Sequence, residues 1–370
     1  MALHKGPCGV LDSRRHGRTR FPGFRRPQRY ASEPPRPGTW SGRSFFVESD
    51  IGHVDLPRAR RGGFGGGFFA IFVPPVKAYE SGPDGQDTPP GSSPIRVPAL
   101  DPAYAHQFTN DVIARLQRIE QEAEGQVRVV RTVAELEECL AQGVLAIVLH
   151  FEGAEAIHPD IAALEGFYEI GLRSLGIVWS RPNAYGHGVP FEFPGSPDSG
   201  PGLTDAGFEL VRECNRLGIL VDLAHINERG FWDTAEHTAA PLVVTHGAAH
   251  ELSRSSRNLT DAQLDAIGET DGVVGINFHV GFLRADGLRD PDMPLSVLVR
   301  HIDYAVHRIG IDHVALGSDF DGAVMSQYLG DVAGLPKLIA ELRDAGYDDS
   351  ALRKITHENW IRVLGKTWAA

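Results

Sequence analysis

Short apolar runs alternate with amphipathic stretches along the chain from Phe45 onward. Most of the runs are rich in β-branched or aromatic residues and are apolar on both faces, which is typical of buried parallel strands. Seven runs predict strands: Phe68–Val73, Leu145–Phe151, Leu175–Trp179, Ile219–Leu223, Leu242–Thr245, Val273–Phe278 and Val314–Leu316.

Helical spacing of apolar residues fills the gaps between these runs. The predicted helices are Tyr104–Glu124, Val133–Ala141, Asp160–Ile170, Asp205–Leu217, Asp261–Ile267, Leu295–Ile309, Val332–Ala345 and Ser350–Leu364. Strands that alternate with helices imply an α/β fold with a parallel sheet and crossover helices. A closed (β/α)8 barrel needs eight strands, so we expect the missing strand before residue 68.

Two segments rich in proline and glycine predict loops. Ser81–Pro98 is also rich in serine and aspartate and indicates an exposed loop. Asn183–Pro201 follows a predicted strand. In a barrel of parallel strands, this places the second loop on the face where active sites form.

The overall composition is that of a folded enzyme. Of the 370 residues, 42% are hydrophobic and 23% charged, which excludes a mostly disordered chain. The formal charge of -12 argues against nucleic acid as the main partner. No apolar run reaches the length of about 18 residues that a membrane span needs. Three scattered cysteines and no signal-peptide pattern lead us to expect a reduced, cytoplasmic protein.

The charge is distributed unevenly along the chain. Residues 1–44 contain ten Lys and Arg against two acidic residues, a net charge of +8, whereas the remainder carries -20. We therefore predict two parts, an atypical segment at 1–44, rich in arginine and proline, and a barrel at 45–370. Because the segment lacks aromatic residues interleaved with basic ones on a folded scaffold, we do not expect it to bind nucleic acid.

Polar residues at the ends of predicted strands carry the candidate chemistry. Four ionisable residues occupy this position: Glu152, His225, His246 and Asp319. The carboxyl ends of parallel strands meet at one edge of a barrel, so these side chains are expected to converge. A set of imidazole and carboxylate ligands suits zinc or a similar divalent ion.

Motifs around these residues resemble a known family. They are Phe151-Glu152-Gly153-Ala154, Asp222-Leu223-Ala224-His225, Thr245-His246-Gly247-Ala248, Ser256-Arg257-Asn258 and Gly317-Ser318-Asp319-Phe320-Asp321-Gly322. Together they resemble the membrane (renal) dipeptidase family of metallopeptidases over about residues 48–365. The resemblance implies a distorted (β/α)8 barrel that is a homodimer, holds two zinc ions and cleaves dipeptides, including some with a C-terminal D-residue.

The resemblance also implies a role for each matching residue. Glu152 would bridge the two metals, and His225 and His246 would complete the second metal site. Arg257 would hold the free carboxylate of the substrate. Asp319 would act as general acid and base beside a metal-bridging hydroxide. From the residues alone, a surface ion pair remains open for Arg257 and a turn-capping role for Asp319.

The sequence departs from the family pattern at a histidine that faces the substrate. Trp179 stands where that histidine aligns. We assign substrate binding to Asn183 and His187 in the following loop, with His187 as the hypothetical replacement. Loss of the histidine predicts an altered substrate preference or weaker stabilisation of the oxyanion.

The ligands of the first metal are also missing at their expected place. The family opens with an Asp-Gly-His-Asn-Asp segment, whose histidine and second aspartate bind that ion. His53 and Asp55 copy the spacing, but we discount them, because Leu56–Arg60 matches a later element of the family. A back-translation of Arg25–Glu33, read from the second base, spells Asp-Gly-His-Asn-Asp-Thr-Leu-Leu. Our hypothesis is a shifted reading frame up to about Trp40.

Three functions remain open from the sequence. The first is a zinc-dependent dipeptidase. The second is a catalytically impaired homologue that lacks the first metal site, because Glu152 alone is too small a ligand set for that ion. The third is a related barrel amidohydrolase that cleaves another amide.

Overall fold

A curled, parallel β-sheet forms the centre of the molecule. The computed structural model describes residues 43–75 and 97–368. Within these ranges the strands are β1 (Gly66–Ile71), β2 (Val127–Val129), β3 (Leu145–Glu152), β4 (Leu172–Gly176), β5 (Leu220–Asp222), β6 (Val243–Gly247), β7 (Val273–Asn277) and β8 (Val314–Gly317). The predicted α/β class is confirmed.

The strands follow one another in chain order around the sheet. The path runs β1-β3-β4-β5-β6-β7-β8, with every pair parallel, and β2 pairs with the start of β3 beside this path. The curl is tight from β6 to β8. A Cβ built on Gly317 would lie 2.3 Å from the carbonyl oxygen of Thr245, so only glycine fits there. The sheet has the form of a half-barrel.

The barrel is open between β1 and β8 among the described residues. There β1 pairs with β3 alone and β8 with β7 alone. The eighth strand, β2, lies after residue 68, and residues 43–65 contain no strand. The strand predicted in the N-terminal segment, together with the hypothesis about Arg25–Glu33, lies outside the described residues and stays a prediction.

Trp360 lies between the two strands at the opening. Its indole packs edge-on against Phe68 of β1, with 5.0 Å between the ring centroids. Its Nε1 donates a hydrogen bond of 3.2 Å to the carbonyl oxygen of Leu316 in β8. This contact satisfies one backbone acceptor that an unpaired strand would otherwise leave without a partner.

Helices pack on the outside of the sheet. Within the described ranges they are α1 (Leu56–Gly62), α2 (Pro102–Glu122), α3 (Val133–Gln142), α4 (Leu164–Ile170), α5 (Asp205–Leu217), α6 (Glu228–His237), α7 (Asp261–Glu269), α8 (Val280–Leu283), α9 (Leu295–Ile309), α10 (Leu335–Asp344), α11 (Asp349–Arg353) and α12 (Asn359–Trp368). A π-helical turn, Lys354–Glu358, joins α11 to α12, where the sequence predicted one continuous helix. No helix in residues 43–75 or 97–368 is long and apolar enough to cross a membrane.

The helix boundaries follow from capping residues. The hydroxyl of Thr204 accepts a hydrogen bond from the backbone N–H of Gly207 and begins α5. Gly218 ends α5 with a φ of 71°, in the left-handed region that favours glycine. Both ends agree with the predicted helix. The helices α1, α6 and α8 were not predicted.

The core contains the residues that the apolar runs predicted. Cys139 and Cys214 are buried free thiols, as expected. Arg43, which belongs to the predicted N-terminal segment, forms ion pairs with Asp321 and Asp55 at 3.5 and 4.0 Å.

Candidate metal centre

The four predicted ionisable residues lie at the carboxyl ends of four strands. Glu152 is the last residue of β3, and His246 lies near the end of β6. His225 and Asp319 lie in the turns that follow β5 and β8. The parallel topology brings the first three of these side chains into direct contact.

Glu152, His225 and His246 form a compact group of donor atoms. Oε1 of Glu152 lies 2.9 Å from Nε2 of His225 and 3.5 Å from Nε2 of His246. The two Nε2 atoms are 2.9 Å apart. Donors about 2 Å from a tetrahedral zinc ion lie roughly 3.3 Å from one another, so the spacing fits one ion. Among the described residues, this is the only group of three potential ligands so close together.

Burial sets the protonation of this group. It lowers the pKa of His225 and His246 well below the usual value for histidine, and the positive charge of Arg257 lowers both further. Both imidazoles are therefore neutral at pH 7, which is the form that binds a metal. Burial also raises the pKa of Glu152. A cation in contact with the carboxylate would offset this penalty, so the donor set fits a divalent ion.

Hydroxyl groups contact the other ring nitrogen of each histidine. Oγ of Ser180 lies 2.8 Å from Nδ1 of His225. Oγ1 of Thr245 lies 2.9 Å from Nδ1 of His246 and 2.6 Å from Oδ2 of Asp222. These contacts orient the rings so that both Nε2 atoms face Glu152.

Arg257 is a buried cation next to the histidines. Its Nε lies 3.1 Å from Nδ1 of His225, and one Nη donates to the carbonyl oxygen of His246 at 2.9 Å. Burial lowers the pKa of its guanidinium, while the carboxyl groups of Asp319, Asp222 and Glu152 oppose that shift. The surface ion pair left open by the sequence is thus excluded, because Arg257 is 4% exposed.

Asp319 lies close enough to Glu152 and Arg257 for their charges to affect its pKa. Its Oδ2 accepts a hydrogen bond of 3.0 Å from the side-chain amide of Asn277, the last residue of β7. Burial raises the pKa of Asp319 to about 7, and the charge of Glu152 adds to the rise. A carboxyl group with a pKa near 7 can both accept and donate a proton at neutral pH.

Two of these residues have strained backbones. His225 has a φ of 66° and Asp319 a φ of 56°, in the left-handed region that non-glycine residues rarely adopt. Such strain costs on the order of 1–3 kcal/mol and is concentrated at functional sites. The strain therefore supports a functional role for both turns.

Aromatic side chains line one side of His225. Trp179 lies 5.6 Å from the His225 ring and Phe191 lies 6.4 Å from it, measured between centroids. Phe72 packs on Trp179 at 4.9 Å. Trp179, aligned with the family's substrate-facing histidine, thus contributes an apolar surface next to a metal-ligand candidate.

Asn183 and His187 lie outside the donor group. The amide of Asn183 donates to the carbonyl oxygen of Ile177 at 2.8 Å and accepts from the backbone N–H groups of Tyr185 and Gly186. Nδ1 of His187 lies 3.1 Å from the carbonyl oxygen of Gly202. Both side chains hold the loop together in these contacts, and their assignment to the substrate stays a prediction.

His53 and Asp55 make structural contacts. Asp55 is fully buried, caps α1 by accepting from the backbone of Arg58, and pairs with the Arg58 guanidinium at 2.7 Å. Nδ1 of His53 accepts from the backbone N–H of Asp321 at 2.9 Å. Neither residue belongs to the donor group.

Four contributors to the site were not assigned by the sequence. Ser180, Thr245 and Asn277 each contact a predicted site residue, and Asp222 contacts Thr245. Asp222 and Thr245 belong to the motifs that carry the family resemblance, which is the one signal that pointed to them. Ser180 and Asn277 had no such signal.

Comparisons with known proteins identify the family to which the chain belongs. The family model described as membrane dipeptidase (peptidase family M19) matches residues 42–370. A metallopeptidase structure from Rhodobacter sphaeroides, liganded with a phosphinate mimic of the dipeptide L-Ala-D-Ala, is 48% identical, with a TM-score of 0.85 over 88% of this chain and 93% of that one.

Two further relatives are similar to this chain over most of their own length. The structure of a metallopeptidase called dipeptidase AC is 47% identical, with a TM-score of 0.82 over 88% of this chain and 93% of that one. An uncharacterized Klebsiella pneumoniae protein is 50% identical over 69% of this chain and 94% of its own length. The predicted family is confirmed: this chain belongs to the membrane dipeptidase family of metallopeptidases.

Proposed function

We propose that this chain is a zinc-dependent dipeptidase whose metal is held by Glu152, His225 and His246. The observation that carries the proposal is the convergence of two neutral imidazole nitrogens and a carboxylate oxygen within 4.8 Å of one another. This combination of nitrogen and oxygen donors, with a fourth position left for water or substrate, is typical of catalytic zinc.

Arg257 would bind the C-terminal carboxylate of the dipeptide. A zinc ion held by Glu152, His225 and His246 would supply a Lewis acid beside the bound dipeptide. Two nitrogens of Arg257 already bond within the site, and its other Nη has no hydrogen-bond partner among the described residues. A planar guanidinium in a buried site recognises a carboxylate strongly and with a defined orientation.

Asp319 would move the proton that peptide hydrolysis requires. With a pKa of about 7, its carboxylate accepts a proton from the attacking water and donates it to the leaving amine nitrogen. Asn277 holds Oδ2 of Asp319 at 3.0 Å. Oδ1 therefore remains the oxygen for the transfer.

The proposed substrates are dipeptides with small side chains. The Rhodobacter sphaeroides relative was solved with a mimic of L-Ala-D-Ala. In this chain, Trp179 and Phe191 lie next to His225 and limit the space beside the proposed ion. Because the ligand of that relative mimics a dipeptide with a C-terminal D-residue, we propose that such dipeptides are among the substrates.

A catalytically impaired homologue is the second candidate function. The described residues contain a single group of three potential ligands, whereas the family resemblance implies two zinc ions. One zinc equivalent without dipeptide hydrolysis would favour this candidate. Two equivalents with hydrolysis would favour the intact enzyme.

The experiment is a metal titration combined with a substrate panel. Purified protein, stripped with a chelator and reloaded with zinc, is assayed on L-Ala-L-Ala, L-Ala-D-Ala and acetylated amino acids. We expect hydrolysis of the dipeptides and its loss in His246→Ala. The exposed His307 of α9 provides the matched control, so His307→Ala should retain full activity. Cleavage of the acetylated amino acids alone would favour the amidohydrolase alternative and refute the proposal.

The predicted homodimer and cytoplasmic location stay predictions. Light scattering of the purified protein tests the first. Fractionation of the source cells tests the second.

A further inference from the structure

Two buried side chains lie behind His246 in a continuous hydrogen-bonded chain. Oδ2 of Asp222 is 2.6 Å from Oγ1 of Thr245, and Oγ1 is 2.9 Å from Nδ1 of His246. Asp222 is 1% exposed and Thr245 is 6% exposed, so water does not compete for these contacts. Which group donates and which accepts in each of these two hydrogen bonds is therefore set by the protein alone.

Asp222 fixes the direction of the threonine hydroxyl. Its Oδ1 accepts backbone hydrogen bonds from Ala224 at 3.0 Å and Thr245 at 2.8 Å. Oδ2 contacts the hydroxyl and lies 3.6 Å from Nε2 of His150, and a carboxylate only accepts hydrogen bonds. The hydroxyl hydrogen of Thr245 must therefore point toward Asp222.

This direction determines the tautomer of His246. With its hydrogen used by Asp222, Oγ1 of Thr245 offers only lone pairs to the ring. Nδ1 must then carry the proton of the neutral imidazole and donate it to Oγ1. Nε2 keeps its lone pair, and Nε2 is the atom that faces Glu152 and His225.

We propose that Thr245 and Asp222 are positioning residues that hold His246 in the tautomer able to bind a metal through Nε2. The proposal rests on the proposed metal site and deepens it by assigning a relay to one of its ligands. Partners of this kind typically contribute 10–100-fold to metal affinity.

A purely structural role for the same contacts must be distinguished. The strands β5 and β6 share a single register pair, Asp222 with Val243, so the side chain of Asp222 also ties these strands together. A structural tie predicts a lower melting temperature without a change in metal affinity. The relay predicts weaker metal binding by protein that is still folded.

The substitution Asp222→Asn separates the two roles. The two backbone N–H groups on Oδ1 require an oxygen, so the new amide must place its NH2 where Oδ2 now lies. That NH2 would donate to Thr245, whose hydroxyl would then turn and donate to Nδ1 of His246. The proton would move to Nε2 and block the metal-binding atom, with almost no change in side-chain shape.

The test measures zinc affinity by competition with a chromophoric chelator. Thr245→Val should weaken zinc binding about 10–100-fold, and Thr245→Ser, which keeps the hydroxyl, should restore it. Asp222→Asn should weaken binding at least as much. The double variant Asp222→Asn with Thr245→Val should bind zinc more tightly than Asp222→Asn alone, because no hydroxyl remains to enforce the wrong tautomer.

Two further measurements keep the test decisive. Thr234, whose buried hydroxyl bonds only the carbonyl oxygen of Gly230 in its own helix, provides the control Thr234→Val, which should leave zinc affinity unchanged. Long-range ¹H–¹⁵N NMR of the chelator-treated wild type reports the tautomer of His246 even if the variants fail to fold. We expect the proton on Nδ1.

The outcomes separate the relay from the metal site. A proton on Nε2 of wild-type His246, or equal zinc affinities for the wild type, Thr245→Val and Thr234→Val, would overturn the relay and leave the metal site standing. Failure of the wild type itself to bind zinc would overturn both.

Discussion

The Nε2 atoms of His225 and His246 lie 2.9 Å apart, although β5, which His225 follows, and β6, which contains His246, share only one register pair. Burial and Arg257 keep the pKa of both rings low, so the two nitrogens meet without mutual charge repulsion. Glu152 supplies the negative charge of the group. This combination of neutral nitrogens and one carboxylate is what makes the position suitable for a cation.

Arg257→Lys should reduce dipeptide turnover. Lysine keeps the charge but loses the planar fork that holds a carboxylate through two parallel hydrogen bonds. Hydrogen bonds to charged groups contribute about 1.5–3 kcal/mol, so kcat/KM should fall roughly 10–100-fold, mainly through KM. Steady-state kinetics with L-Ala-D-Ala measure the effect. The exposed Arg254 provides the control, and an equal loss in Arg254→Lys would contradict this assignment.

Asp319→Asn should stabilise the metal-free protein at high pH. The folded pKa of Asp319 is about 7 and its ordinary value is 3.8, so the unfolded chain releases this proton first as the pH rises. The contribution of Asp319 to the free energy of unfolding is therefore greatest below pH 4, falls up to about pH 7 and stays low above it. Asparagine does not ionise, so in Asp319→Asn the free energy of unfolding no longer falls through this group as the pH rises.

The check is a comparison of melting temperatures in the presence of a chelator. The gain of Asp319→Asn over the wild type should be larger at pH 8 than at pH 4. Asp198→Asn, at an exposed position, should show no such difference. A gain of equal size at both values of pH would argue against the raised pKa.

Asn277→Ala should shift the pH dependence of catalysis. The amide of Asn277 donates to Oδ2 of Asp319 and favours the ionised carboxylate, which lowers its pKa. Without it the pKa rises, so the acidic limb of the kcat/KM profile should move to higher pH. The matched control is Asn215→Ala, because Asn215 lies on α5 and its side chain accepts a hydrogen bond only from Thr238 among the contacts described. An unchanged acidic limb would show that Asp319 does not act as the base.

The sequence predicted the elements with strong periodicity and clear ends. The helices α5 and α9 agree with prediction at both ends, since α5 has a threonine cap and a terminal glycine. The strand β2 is only three residues long, too short for a periodic signal. The π-helical turn Lys354–Glu358 contacts β8 and has no local signature in the sequence.

In the candidate site, too, some residues could be predicted from the sequence and others could not. Glu152, His225 and His246 follow from their place at strand ends, because parallel topology makes such positions converge. The partners of these residues depend on distances of 2.6–3.1 Å between separate strands and loops. Asn183 was assigned to substrate binding because of its place in the loop. In the structure its side-chain amide forms hydrogen bonds with the backbone of Ile177 and Tyr185.

The most direct test of the central claim is a crystal structure of the zinc-loaded protein with anomalous diffraction at the zinc edge. We expect an anomalous peak about 2 Å from Nε2 of His225, Nε2 of His246 and Oε1 of Glu152. A peak located elsewhere, with these three side chains bonded only to one another, would contradict it.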